Sequence, residues 1–296
     1  MSILINEETR VLVQGITGRS GSLQTKVMID AGTKVVAGVT PGKGGSEVHG
    51  VPVYDLIEDA TAEHDIDAVI TFVPAPFAKD AAIEVFDAGI KLLVLTTEEI
   101  PDHDVIGIIA AARARGSIVV GPGTPGIVAP GKCKLGAHPT RMFTEGSVGM
   151  VSKSGALSYE VGKNLTEAGI GQSTVVGLGG GPIWGLSQTE VLQLFENDPD
   201  TDVIVLLGEI GGSMEEEAAA YIADNITKPV VAMIVGRAAP EGKSLGHAGA
   251  IIEGDRGTAQ AKIAALSEAG AHTARIPADM VDIIRKVRSE TIASSH

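Results

Sequence analysis

The sequence predicts an α/β protein of two successive, doubly wound domains, and three observations carry that prediction. Short β-branched runs alternate with helical patterns from end to end. This grammar occurs twice, on either side of a stretch dense in Pro and Gly. Aromatic residues make up only 3% of the 296 residues while glycines number 38, so aliphatic cores and many tight strand-to-helix turns are required. At ~150 residues per domain the length suits two domains.

The elements follow in order. In the first half, apolar runs predict strands over 11–13, 34–38, 68–72, 92–95 and 118–120, with helices over 20–31, 76–88 and 102–115 between them. Strands separated by helices imply parallel sheets covered on both faces. Gly121-Pro122-Gly123-Thr124-Pro125-Gly126 and then Ala129-Pro130-Gly131-Lys132 are expected to break regular structure at a junction. The second half predicts strands over 148–151, 174–176, 203–207 and 230–235. Its expected helices are 156–168, 188–197, 214–225, 257–269 and 278–288. The expected division is a domain over 1–122, a connection over 123–146 and a domain over 147–296.

Charge and composition exclude several classes. A net charge of -14 argues against nucleic acid, whose phosphates need basic surfaces. An anionic ligand must therefore be held by local donors. The single cysteine, Cys133, rules out an internal disulfide and suits a reducing compartment. The opening residues lack a secretory or transit pattern, and no apolar run approaches the ~20 residues of a membrane span. The expectation is a cytoplasmic protein. There is no His/Cys cluster at metal-ligand spacing, no Gly-x-x-x-x-Gly-Lys-Ser/Thr loop and no Gly-x-Ser-x-Gly turn.

Two glycine or serine turns read as anion cradles. The run from Val11 reaches Gly15-x-x-Gly18-x-x-Gly21, a strand leading through glycines into a helix. N–H groups and the dipole at such a helix start favour phosphate, although the spacing is a loose dinucleotide fingerprint and a ligand-free tight turn would look the same. An NAD site expects an acid about 20 residues further on. Here Gly38-Val39-Thr40-Pro41-Gly42-Lys43-Gly44-Gly45 supplies Lys43 instead, which favours a ligand with extra phosphate such as coenzyme A or NADP. The second turn is Ser152-Lys153-Ser154-Gly155, where Ser154 and Gly155 open a helix as a phosphate cradle or as an ordinary serine cap.

Gly246-His247-Ala248-Gly249-Ala250-Ile251 holds an imidazole on compliant backbone. Taken alone, such a histidine is more often a satisfied loop residue than a nucleophile. The run Val203-Ile204-Val205-Leu206-Leu207 ends in Gly208-Glu209-Ile210-Gly211-Gly212 and puts a carboxylate where a strand meets a loop. A histidine oriented by an acid is a known nucleophilic arrangement. The Glu209–His247 combination with two cradles and no triphosphate loop implies a phosphoryl group delivered by another subunit.

These stretches, with Phe72-Val73-Pro74-Ala75-Pro76-Phe77, resemble the alpha subunits of succinyl-CoA synthetase (succinate–CoA ligase) over nearly the whole length. The resemblance implies a Rossmann-like coenzyme A-binding domain followed by a flavodoxin-like ligase domain. It implies a partner beta subunit of ATP-grasp fold, in a heterodimer or heterotetramer, binding ATP or GTP with magnesium. His247 would be the transiently phosphorylated carrier and Glu209 its partner. Thr17, Gly18, Arg19, Ser20, Lys43, Thr96, Thr97 and Glu98 fall at the coenzyme A positions, Tyr159 near the acid substrate, and Ser154 and Gly155 at the phosphate. Departures from the family pattern at Gly123, Thr124, Gly181 and Trp184, with Glu99 and the stretch 137–142, leave open malate or another short dicarboxylate. A non-catalytic coenzyme A-binding module and an NADP-dependent reductase are the competing classes.

Overall fold

The computed structural model describes residues 2–239, 247, 249–251 and 257–294. The chain forms two compact units. One comprises Leu4–His138 with Ile183–Leu186, and the other Met1–Ile3, Pro139–Pro182 and Ser187–His296.

In the first unit, β1 (Arg10–Gln14) runs into α1 (Arg19–Asp30) and β2 (Lys34–Val39). A small antiparallel pair, β3 (Glu47–Val48) and β4 (Val51–Tyr54), then precedes α2 (Ile57–Glu63). Next come β5 (Ala68–Thr71), a short 3-10 turn at Ala75–Phe77 and α3 (Ala78–Asp87). β6 (Leu92–Leu95), α4 (Asp102–Ala114) and β7 (Ile118–Val120) complete the sheet. Its order is β3-β4-β2-β1-β5-β6-β7, parallel apart from β3. From β4 to β7 this is the Rossmann order 3-2-1-4-5-6, whose switch point lies between β1 and β5. Leu12, Val69, Leu93 and Leu95 pack with Phe86 and Ile108 in one buried cluster.

Sequence reading missed β3, β4 and α2, because two- and four-residue strands and a seven-residue helix leave almost no periodic signal. It also expected irregular chain where β8 (Gly126–Ala129) and β9 (Cys133–Gly136) pair as an antiparallel hairpin. The Pro and Gly residues there make the turn and the close approach instead of ending the structure. A Cβ on Gly126 would lie 1.9 Å from the Leu135 carbonyl oxygen, so only glycine lets the two strands meet.

The second unit carries β10 (Glu145–Ser152), α5 (Gly155–Glu167), β11 (Gln172–Gly177) and α6 (Gln188–Asn197). Then follow β12 (Val203–Glu209), α7 (Met214–Asn225), β13 (Val230–Val235), α8 (Ala259–Glu268), β14 (His272–Thr273) and α9 (Asp279–Ser294). The strands run β14-β13-β12-β10-β11, all parallel. Counted from β10, that is the flavodoxin-like order 2-1-3-4-5, with its switch point between β10 and β12. The short strand β14 was again invisible to periodicity. Aliphatic residues fill this core, and the ring of Phe195 occupies the space a side chain on Gly149 would need.

Candidate functional site

Ligands of open α/β sheets bind beyond the carboxyl ends of the strands at the switch point. In the second unit those ends are Ser152 on β10 and Glu209 on β12. His247 Nδ1 lies 2.7 Å from Glu209 Oε2. A carboxylate oxygen only accepts, so in this contact Nδ1 carries the hydrogen and points it at Glu209. The Glu209 side chain is 8% exposed and the His247 side chain 31%, an arrangement of a sheltered acid behind a reachable ring. Gly246 and Ala248 of the sequence motif lie outside the described residues.

Three loops meet at this ring. A Cβ on Gly180, in the loop after β11, would stand 2.4 Å from His247 Cγ and Cδ2, so bare backbone forms the wall of the imidazole slot. A Cβ on Gly211, just beyond β12, would stand 2.1 Å from the Gly249 carbonyl oxygen. The Gly211 N–H donates to Gly257 O at 2.8 Å.

The β10–α5 turn adjoins Glu209 through the β10–β12 pairing. Ser154 Oγ accepts from the Leu157 N–H at 3.3 Å, a regular N-cap. The Ser154 N–H itself donates to Ser152 Oγ at 3.1 Å, and Gly155 begins the helix. Tyr159, one turn into α5, stacks edge-on against Phe143 with ring centroids 6.4 Å apart. Burial raises the pKa of its phenol above the ordinary range.

In the first unit, the carboxyl ends of β1, β2, β5 and β6 carry the other predicted residues. Gly15 has φ of 76° and its N–H donates to Val39 O at 2.8 Å. A Cβ on Gly21 would lie 2.1 Å from the Gly15 carbonyl oxygen, so the third glycine of the spacing lets α1 close onto the loop. Gly18 is the N-cap of α1 and offers no side-chain acceptor, which fits an anion at that helix start. Thr17 N–H reaches Thr40 Oγ1 at 3.4 Å, while Arg19 and Ser20 are exposed at the first turn. Thr96 Oγ1 donates to Thr71 O at 2.5 Å and Thr97 Oγ1 to Val73 O at 2.8 Å. These bonds fix the β6 exit beside the β5 exit, and Glu98 follows exposed. Lys43 is also exposed.

The segment 6–99 matches the family model described as CoA binding domain, and 151–272 matches the one described as CoA-ligase. Succinate–CoA ligase [ADP-forming] subunit alpha 1 of Archaeoglobus fulgidus is 55% identical over 97% of this chain and 98% of its own length. The corresponding subunit alpha of Methanothermobacter thermautotrophicus is 56% identical over 96% of each chain. The chain belongs to the succinate–CoA ligase alpha-subunit family. Among solved structures, ATP citrate lyase from Methanothrix soehngenii, in complex with citrate and coenzyme A, superposes with a TM-score of 0.89 at 26% identity. That alignment covers 99% of this chain and 52% of the lyase, so the chain spans about half the length of the solved protein.

Within this alpha subunit, the structure adds residues that sequence reading did not single out. Asp55 Oδ1 accepts from the N–H groups of Lys43 and Gly44 at 3.0 and 2.9 Å and so sets the shape of the lysine loop. The Gly44 N–H, ahead of those of Gly42 and Lys43, holds the Asp55 carboxyl below its ordinary range. Beneath Glu209 lies a fully buried carboxylate, Glu215, between two lysines. Lys153 Nζ is 2.9 Å from Glu215 Oε1, and Lys262 Nζ donates to Glu215 Oε2. Burial alone would raise the Glu215 pKa, but Lys153 and Lys262 outweigh it and lower it. The sequence signal for Glu215 was hidden in the acidic run Glu215-Glu216-Glu217, which reads as a solvated helix start. Among the described residues no group of His, Cys, Asp and Glu has the arrangement of a metal site. No described helix is long and apolar enough to cross a membrane.

Proposed function

We propose that this chain is the alpha subunit of an ADP- or GDP-forming acid–CoA ligase in which His247 carries the phosphoryl group. The observation that carries the reading is the 2.7 Å contact between His247 Nδ1 and Glu209 at the switch point of the ligase sheet. With Nδ1–H held by the acid, Nε2 is the nucleophile. Its lone pair attacks a phosphorus and the P–O bond to the leaving group breaks; Glu209 stabilises the cationic ring that results. A carboxylate oxygen of the acid then attacks the same phosphorus, and the N–P bond breaks to give an acyl phosphate. The coenzyme A sulfur displaces phosphate from the acyl carbon, and the thiol proton leaves with solvent or a base.

Gly155 and Ser154 fit the phosphoryl group at the start of α5. Thr17, Gly18, Arg19, Ser20, Lys43, Thr96, Thr97 and Glu98 fit coenzyme A. Its phosphates suit the start of α1, which Gly21 allows to pack close against the Gly15 loop, and Lys43 suits the phosphate near the ribose. Tyr159 is assigned beside the acid. The acid is a short dicarboxylate, with succinate the first to test because the Archaeoglobus and Methanothermobacter relatives are named for it. The nucleotide, ATP or GTP with magnesium, is assigned to an ATP-grasp beta subunit, in a heterodimer or heterotetramer. We assign the domains to 1–122 and 147–296, joined by 123–146. The buried, single Cys133 suits the cytoplasm.

The test is labelling. The chain mixed with its beta subunit and terminally labelled ATP or GTP is expected to gain base-stable, acid-labile phosphorus on His247. His247→Ala is expected to lose both label and turnover. A labelled, active His247→Ala chain would refute the assignment.

A further inference from the structure

Lys153, Glu215 and Lys262 are 2%, 0% and 0% exposed, and they stand under the two loops assigned to phosphoryl transfer. Their bonds have a specific direction. Glu215 Oε1 accepts from the Glu209 N–H at 3.2 Å. Lys262 Nζ donates to the Glu209 carbonyl at 2.9 Å and to the Gly211 carbonyl at 2.5 Å. The peptide groups on both sides of Glu209 are thus clamped by charged side chains. Lys153 belongs to the cradle Ser152-Lys153-Ser154-Gly155, and its own N–H donates to Leu207 O at 3.3 Å on β12. Its ammonium reaches the same Glu215. One carboxylate therefore ties α8, the β12 turn and the β10–α5 cradle together.

Stability does not explain such a cluster. Buried charges lose much of their mutual attraction to desolvation, and apolar residues of like volume often do as well. Charge-assisted bonds aimed at the backbone of one acid do provide a fixed orientation. Both ammonium groups share the Glu215 carboxylate. Lys262 Nζ also lies 3.9 Å from Glu216 Oε2, so the two ammonium groups face two carboxylates and the cluster acts by orientation, not by surplus charge.

We propose that Lys153, Glu215 and Lys262 are positioning residues that hold Glu209 in the pose that keeps the hydrogen of His247 on Nδ1, and that couple this pose to the phosphate cradle. The inference rests on the Glu209–His247 reading above. Neutral imidazole in water prefers the hydrogen on Nε2, so the opposite tautomer is a signature that general folding would not produce.

The experiment is a long-range proton–nitrogen spectrum of the full chain with 15N-labelled histidine, recorded above the imidazole titration range. The parent is expected to show His247 with Nδ1–H. Lys262→Met leaves Glu215 paired with Lys153 and is expected to shift His247 toward Nε2–H. With the beta subunit, kcat should fall about 10- to 100-fold with KM for coenzyme A unchanged. Lys153→Met leaves the Lys262 clamp; it is expected to keep Nδ1–H while weakening inorganic phosphate binding about tenfold.

A folded Lys262→Met chain with the parent tautomer and kcat would overturn the positioning role. Should Lys262→Met not fold, unchanged phosphate binding in Lys153→Met would overturn the coupling. A parent spectrum with Nε2–H would instead remove the Glu209–His247 reading, and the two failures are thereby distinguished.

Discussion

Gly180 shows how narrow the chemistry is at the scale of one residue. Its missing side chain is the space in which the imidazole of His247 lies, with only 2.4 Å to a built Cβ. Gly180→Ala is expected to push the ring from Glu209 and lower kcat about 100-fold, the scale for a displacement of ~1 Å. A thermal midpoint close to the parent's, measured beside the kcat, would separate this local effect from unfolding. Asp55 plays the corresponding part for the lysine loop. Its carboxylate accepts the Lys43 and Gly44 amides, and its pKa is lowered by them. A lowered acid favours the folded loop above the ordinary carboxylate range and releases it as pH falls through the lowered value. Asp55→Ala is expected to raise KM for coenzyme A while leaving His247 labelling intact, as read by saturation kinetics and labelling together.

At the scale of elements, helix starts do most of the placing. α5 begins at Ser154 and α8 at Thr258, each with a side-chain cap, and α6 begins with a full capping box between Ser187 and Glu190. The box was readable as Ser-x-x-Glu ahead of an apolar run. It fixes where α6 leaves the loop that carries Gly180. Ser187→Ala is expected to cost about 1 kcal/mol, measured by urea denaturation. The helices over 188–197 and 214–225 have the ends expected from the helical pattern, because that pattern is local. The hairpin of β8 and β9 was not readable, since its strands are held together across Gly126 and Gly136 by approach distances that sequence does not display.

For the whole molecule, pH exposes one consequence of packing. His138 is fully buried, its Nε2 lies 3.0 Å from Gly126 O, and burial, with Lys134 adding to it, lowers its pKa to about 4. In the unfolded chain the ring titrates near ~6.5. Between those values the unfolded state binds one more proton, so stability falls as pH drops through the window, by up to ~1.4 kcal/mol per pH unit. Urea midpoints for the parent are expected to fall more steeply from pH 6.5 to 4 than those of His138→Gln. Equal slopes would show that His138 titrates normally.

The linear chain by itself determined the doubly wound class, the strand-turn-helix cradles, an acid at a strand end and a glycine-flanked histidine. Those depend on local periodicity, caps and backbone freedom, which neighbouring residues encode. Only the tertiary structure decided that Glu209 and His247 touch, that Gly180 walls the ring, and that an acidic helix start holds Glu215 sandwiched between Lys153 and Lys262. These are contacts among residues far apart in the chain. Their strength comes from burial and from the order in which parallel strands are laid side by side, and neither has a local signature.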